Sequence, residues 1–320
     1  MRIPVFRDVL DAQHRIKTYL RKTPMYSYPA INELIKTDVY IKHENTQPVG
    51  AFKVRGGINL ISQLPTDIKE RGVIAASTGN HGQSVAYASK LFGVKATIVV
   101  PENANPGKVK AMKAMGAETI FYGEIYDESK EKSEQLANEH GYRYIHSGDE
   151  PDLIAGVGTV TLEMLQEEPE LEVIIVPIGG GSGAAGACIV AKTINPKIKV
   201  FGVQSEAAPA AYQSWKQKKL VKTQNTTFAE GLATGTAFIL PQKILWDLLD
   251  DFILVSDKEI MQAMVWMIER AHTLAEGAGA TALAGSFKIR DQLSNKKVGL
   301  VCSGGNCSLS HLKMVLDSIN

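Results

Sequence analysis

The chain has 320 residues, 44% hydrophobic and 22% charged, which excludes wholesale disorder and leaves room for one large or two ordinary domains. Lys plus Arg number 35 against 34 Asp plus Glu, and a net charge of +1 provides no electrostatic footprint for nucleic acid or an anionic membrane. No apolar run approaches the ~20 residues that cross a bilayer, and the N-terminus MRIPVFRDVLDAQ lacks the basic-then-apolar layout of a secretion signal. Three cysteines, Cys188, Cys302 and Cys307, make neither a disulfide framework nor a zinc spacing, so a cytoplasmic protein is expected.

From about residue 73, short apolar runs alternate with helical patterns. Val73–Ala76 reads as a buried strand, and Gly79-Asn80-His81-Gly82 opens a helix that stops at Gly93. Ala96–Val100 is a second strand, and Asn105-Pro106 supplies an N-cap and first-turn proline for a helix ending at Gly116. Thr119–Tyr122 and Tyr142–His146 read as strands around a polar-faced helix, Asp127–His140, closed by Gly141. A second block begins near residue 150: helix Leu153–Gln166, strand Glu172–Ile178, a helix reaching Ile194, and strands Lys199–Gln204 and Phe252–Val255. Helices Met261–Ala275 and Thr281–Leu293, strand Val298–Cys302 and a terminal helix complete it. This order predicts an α/β fold with two open parallel sheets, and a ligand in the cleft beyond the carboxyl ends of the strands. The irregular stretch Lys222–Leu240 is too long for a simple connector and is expected to be functional.

Four segments carry chemistry. Gly50-Ala51-Phe52-Lys53-Val54-Arg55-Gly56-Gly57 sets Lys53 among apolar neighbours, where desolvation lowers an ammonium pKa and makes a nucleophilic amine. A Lys followed two residues on by an Arg is equally what an exposed helix face looks like. Ser77-Thr78-Gly79-Asn80-His81-Gly82-Gln83 gathers hydroxyls, an amide and free helix N–H groups after a strand, a set suited to a carboxylate. Ser77 or Thr78 can also simply cap that helix, and His81 can be a packed residue. Gly179-Gly180-Gly181-Ser182-Gly183 follows a strand and opens a helix, as a phosphate cradle does. Gly181–Gly186 also spells G-x-G-x-x-G with Glu206 20 residues beyond, the outline of a dinucleotide site, so an NAD-dependent oxidoreductase is a rival. Cys302-Ser303-Gly304-Gly305-Asn306, after the last strand, places a hydroxyl where it can bond a ring nitrogen or merely cap a turn.

Taken in this order, the four segments resemble the fold type II pyridoxal-phosphate enzymes, closest to the serine/threonine dehydratases and serine racemases, from about Val5 to Leu316. The resemblance implies pyridoxal 5'-phosphate on Lys53, which then serves as the base at Cα. It implies Phe52 and Asn80 flanking the ring, Gly179, Gly180, Gly181, Ser182 and Gly183 on the phosphate, and Ser303 at the pyridine nitrogen. Gly231 and Glu276 match positions beside the cofactor, and Ser77, Thr78, Asn80 and His81 match the substrate-carboxylate loop. The implied activity is dehydration and deamination of L-threonine or L-serine to 2-oxobutanoate or pyruvate plus ammonia. Serine racemase and 3-hydroxyaspartate dehydratase are alternatives within the family. The resemblance further implies a homodimer, with residues 1–47 plus 149–320 as a large cofactor domain and 48–148 as a small substrate-loop domain.

Three positions depart from the family pattern. Thr78 stands where racemases carry a second-face Ser and many dehydratases carry Ala, so it is a candidate acid–base residue. Ser182 replaces a usual Gly in the phosphate loop. Gln204 and Ala210 occupy places where racemases have metal carboxylates, so no metal is expected.

Overall fold

A computed structural model describes residues 1–318. Among these residues ten strands form two sheets. The strands are β1 (Met25–Ser27), β2 (Asp38–His43), β3 (Val73–Ala76), β4 (Ala96–Val100), β5 (Glu118–Phe121), β6 (Arg143–Tyr144), β7 (Val173–Pro177), β8 (Lys199–Ser205), β9 (Asp251–Val255) and β10 (Lys297–Cys302). The smaller sheet runs β5-β4-β3-β6 and is parallel throughout. The larger runs β1-β2-β10-β7-β8-β9 and is parallel except for β1, which lies antiparallel to β2 at one edge. The prediction of two parallel sheets therefore needs that one amendment. The connection from β1 to β2 carries the short helix Pro29–Ile35 and returns the chain antiparallel, whereas every other neighbour is reached through a crossover.

β2 pairs with β10 from Asp38–Lys297 to His43–Cys302, so the two ends of the chain meet in one sheet. This pairing sets the helix Lys53–Ser62, which begins shortly after β2, beside the turn that follows β10. Ala51 bridges to Gly304, and Phe52 N–H donates to the Ser303 carbonyl at 3.0 Å. The interior strands are almost continuously apolar, as sheets covered on both faces require: Val73–Ala76, Ala96–Val100 and Val298–Cys302 are buried at every position.

Several predicted boundaries move, each for a local reason. The helix expected over Met261–Ala275 spans Asp257–Ala271. A capping box starts it early, with Glu259 N–H donating to Ser256 Oγ at 3.2 Å and Ser256 N–H to Glu259 at 2.6 Å; His272, at φ 52°, ends it. The helix expected over Thr281–Leu293 spans Gly277–Lys288. Its first turn is glycine-rich and reads as loop, but a Cβ on Gly279 would fall 2.1 Å from the Gly304 carbonyl oxygen, so that turn packs against the one after β10. Tyr142–His146 shrinks to the two residues of β6, because the chain pairs with β3 only at Arg143 and Tyr144 before turning toward Lys53.

Candidate active site

Three loops leave the carboxyl ends of parallel strands and converge: Ser77 follows β3, Gly179 follows β7 and Ser303 follows β10. Lys53 opens its helix beneath them. Its Nζ donates to the Ser147 carbonyl at 2.6 Å and to Ser182 Oγ at 3.0 Å, and burial pushes its ammonium down to about 8. The glycine-rich cradle and the apolar lysine segment, far apart in sequence, are thus in direct contact.

The cradle could hold an anion. Gly181, at φ 87°, turns the chain into the helix Ser182–Ile194, whose first-turn N–H groups have no intrahelical acceptor. The Phe52 ring faces Gly183 at 3.2 Å from where a Cβ would sit, and Phe52, Gly183 and Ser303 line one small cavity with Val176 and Val301. The predicted neighbours Gly231 and Glu276 join the same cluster. A Cβ on Gly179 would meet the Gly231 carbonyl at 2.3 Å, and one on Gly304 would meet the Glu276 carboxylate at 2.4 Å. Asn80 is held from both sides, donating to Glu276 Oε1 at 2.6 Å and accepting from Asn306 Nδ2 at 2.8 Å.

The substrate-loop residues sort themselves by geometry. Ser77, not Thr78, organises the turn: its Oγ accepts from Gly79 N–H at 3.1 Å and from Gly82 N–H at 2.8 Å. Thr78 is half-buried. His81 is buried, and its Nε2 faces the Ile145 carbonyl at 3.1 Å, which obliges that nitrogen to donate and leaves Nδ1 an acceptor without a partner. Burial and the Lys53 charge drive its pKa down to about 3, so His81 contributes no positive charge near neutrality.

Other residues at the site escape sequence reading. Lys108 bonds Glu230 across the gap between the small sheet's side and the stretch Lys222–Leu240, and it lies against Gly79. Phe238 wedges between Gly148 and Gly180, with its ring 4.7 Å from that of His146. The long irregular stretch therefore contributes Glu230 and Phe238 beside the expected Gly231, and for those two only its length hinted at a role. Arg55 is the opposite case. It is 1% exposed rather than on a helix surface, and it forks onto Glu44 and Glu163, with Lys42 completing a buried four-charge cluster.

The G-x-G-x-x-G outline has a different explanation. Gly186 lets its helix approach Gly158 of the helix Pro151–Glu167, where a Cβ would sit 2.8 Å from backbone. Glu206 is at the surface on Lys288 at 3.2 Å, away from the cradle.

Comparison with known proteins agrees with this arrangement. Residues 16–304 match the family described as pyridoxal-phosphate dependent enzyme, and the chain belongs to that family. It is 38% identical over 310 residues to an L-threo-3-hydroxyaspartate ammonia-lyase of Saccharomyces cerevisiae, covering 97% of this chain and 95% of that one. It is 34% identical to an L-threonine ammonia-lyase of Thermotoga maritima, covering 97% and 77% respectively. Among solved structures, serine racemase of Dictyostelium discoideum superposes with a TM-score of 0.90 at 38% identity, covering 96% of this chain and 99% of that one. The family cofactor displaces the dinucleotide reading, which explained neither Lys53 nor Ser303. The residues present fit pyridoxal phosphate: a desolvated amine, an N–H cradle for a phosphate and a half-buried polar rim meet in one cluster.

Proposed function

We propose that the protein eliminates water from a small β-hydroxy α-amino acid, releasing a 2-oxo acid and ammonia. L-Threonine, L-serine and 3-hydroxyaspartate are the candidate substrates, with serine racemisation as the alternative activity. The observation that carries this reading is Lys53, a buried amine depressed to about 8 that touches the phosphate-type cradle at Ser182. The relatives named as ammonia-lyases support it. Pyridoxal phosphate, when bound, supplies the electron sink that acidifies the Cα–H bond. Lys53 would hold the cofactor and, once released, would take the proton from Cα. Phe52 and Asn80 would flank the ring, the N–H groups from Gly179 to Gly183 and the Ser182 hydroxyl would take the phosphate, and Gly231 and Glu276 would stand beside the cofactor. Ser303 would hold the cofactor's pyridine nitrogen. Ser77, Thr78 and Asn80 would orient the substrate carboxylate, whereas the buried His81, expected in the same loop, has no N–H free to donate to it. The same reading takes residues 1–47 with 149–320 as the cofactor-binding unit and 48–148 as the substrate-loop unit, and it includes a homodimer in the cytoplasm. Products from L-serine, L-threonine, 3-hydroxyaspartate and D-serine test it; failure to form a 2-oxo acid from any of the three hydroxy amino acids would remove it.

Ser303 would be a neutral partner and, unlike a carboxylate, would not keep a ring nitrogen protonated, so the cofactor would supply a weaker electron sink. Replacing Ser303 by Ala is expected to weaken cofactor binding by on the order of 1 kcal/mol, one neutral hydrogen bond, without unfolding the chain. Titrating the cofactor-free protein with pyridoxal phosphate measures it, and an unchanged affinity, spectrum and turnover would reduce Ser303 to a turn residue.

Thr78 decides between lyase and racemase. Racemisation needs an acid–base group on the face of Cα opposite Lys53, whereas elimination needs Lys53 alone. A β-branched side chain is confined to few rotamers, so L-specific elimination is expected to dominate. Chiral analysis after incubation with L-serine checks this, and D-serine forming as fast as pyruvate would reverse the ranking. Where racemisation is detected, Thr78→Ala is expected to abolish it if the hydroxyl is the second-face acid–base group, and loss of elimination together with it would make Thr78 a substrate-binding residue.

A further inference from the structure

A lysine that acts as a base must be aimed as well as deprotonated. Lys53 Nζ has two acceptors, the Ser147 carbonyl at 2.6 Å and Ser182 Oγ at 3.0 Å, and burial is the only cause of its lowered pKa. Both acceptors are uncharged. A carboxylate in either place would favour the ammonium, whereas a carbonyl and a hydroxyl direct the N–H bonds and hold the proton far less strongly. A neutral amine carries two N–H bonds and one lone pair, so two fixed acceptors leave the lone pair a single direction.

Each acceptor is itself held in place. Ser182 is buried in the first turn of its helix, with a hydroxyl where the family pattern has glycine. A hydroxyl accepts and donates at once, so Oγ takes the Lys53 N–H and keeps its own proton for an anion in the cradle. Ser147 is fixed by its neighbours. His146 Nδ1 accepts from Gly148 N–H at 3.2 Å and from Asp149 N–H at 2.8 Å, a staple that closes the turn around Ser147. Asp149 Oδ1 accepts from Leu240 N–H at 2.7 Å, and the Phe238 ring stands edge-on to His146, so the end of the stretch Lys222–Leu240 braces the same turn. The staple needs an unprotonated Nδ1. Burial holds the His146 pKa below the usual histidine value; Asp149 and Glu134 oppose this, and Lys130 and Lys53 reinforce it.

Resting on Lys53 as the base of the elimination proposed above, we infer that Ser182 and the stapled Ser147 carbonyl form a two-acceptor clamp that sets the direction of the freed Lys53 lone pair, which makes Ser182 and His146 positioning residues. Ser182 then has a role besides phosphate binding, and His146 acts through the carbonyl that it fixes.

The test uses Ser182→Ala, His146→Phe and His146→Asn. Phenylalanine keeps a ring against Phe238 but has no acceptor, whereas an asparagine side-chain oxygen bonds backbone N–H groups further along its own turn. With the hydroxy amino acid that the wild type turns over fastest, kcat is expected to fall about tenfold in Ser182→Ala and His146→Phe while KM stays within about twofold, and His146→Asn to recover most of the loss. The isotope effect on kcat from deuterium at Cα is expected to rise in the two slow variants, because a misaimed base slows proton removal in particular. A second readout needs the same amine but no elimination: the limiting rate at which the cofactor-free protein captures saturating pyridoxal phosphate is expected to fall in those two variants. That fall, with no 2-oxo acid formed from any hydroxy amino acid by the wild type, would keep the clamp and reject the proposed reaction. Weaker cofactor affinity in Ser182→Ala with an unchanged isotope effect and limiting rate would make Ser182 a phosphate ligand alone and overturn the clamp. Faster turnover in Ser182→Ala would overturn it too, since the hydroxyl would then be donating to the amine and masking its lone pair. Equal losses in His146→Phe and His146→Asn would remove His146 from the clamp. Should His146→Phe not fold, His146→Leu and Ser182→Ala decide the matter by the same rates.

Discussion

Lys53→Ala is expected to abolish elimination, lowering kcat by at least ~10³-fold. Loss of a general base alone costs ~10²–10⁴-fold, and the same amine is also the proposed covalent anchor. The measurement is 2-oxo acid formation from a hydroxy amino acid, with the cofactor's absorbance recorded in parallel; turnover surviving in the variant would remove Lys53 from the reaction. The depressed pKa adds a pH dependence. Only the neutral amine attacks a carbonyl, and burial lowers Lys53 from 10.5 to about 8, so the reactive fraction grows as pH rises through 8 rather than through 10.5. The rate at which the cofactor-free protein captures pyridoxal phosphate is therefore expected to rise with pH and reach half its plateau near 8. A half-point near 10.5 would mean that the amine is solvated in the cofactor-free protein.

Arg55→Met is expected to be the most damaging substitution to stability, costing roughly 3–5 kcal/mol, because it strands buried carboxylates. Burial opposes the charges of Arg55 and Glu44, and their pairing reverses the balance. Arg55 holds Glu44 below the usual carboxylate range, and Glu44 and Glu163 hold the guanidinium firmly protonated. Arg55 donates to Glu44 at 2.7 and 2.8 Å and to Glu163 at 2.7 and 2.8 Å, while Lys42 reaches Glu163 at 2.8 Å. Removing the central cation leaves two carboxylates with only Lys42. Thermal or denaturant unfolding of the variant measures the loss, and a change below about 1 kcal/mol would mean that water or a proton replaces the guanidinium at little cost. Since Arg55 lies on the helix that Lys53 opens, the cluster also anchors the base of the site; a stable variant is expected to bind the cofactor less tightly.

Much of this molecule is legible one segment at a time. The buried strands from Val73 to Ala76 and from Ala96 to Val100, the Asn105 cap and the glycine stop at Gly93 follow from local chemistry: hydrophobic runs, a side-chain oxygen for free N–H groups, and a residue that tolerates left-handed backbone. The four motif segments are legible for the same reason, since a glycine cradle and a lysine among apolar neighbours need only adjacent residues to be recognised. What the sequence left open depends on residues distant in the chain. Arg55 looks like a surface residue until Glu44 and Glu163 arrive from β2's end and another helix to neutralise it. Lys108 finds Glu230, and Tyr126 finds Tyr144 and Ser147, only because β6 lies beside β3 and the stretch Lys222–Leu240 folds over the cleft. Local propensity and motif chemistry thus determined the elements and the family by sequence alone. The charge state of each buried group and the composition of the pocket wall were decided by the tertiary structure, because desolvation and pairing exist only once the chain has closed on itself.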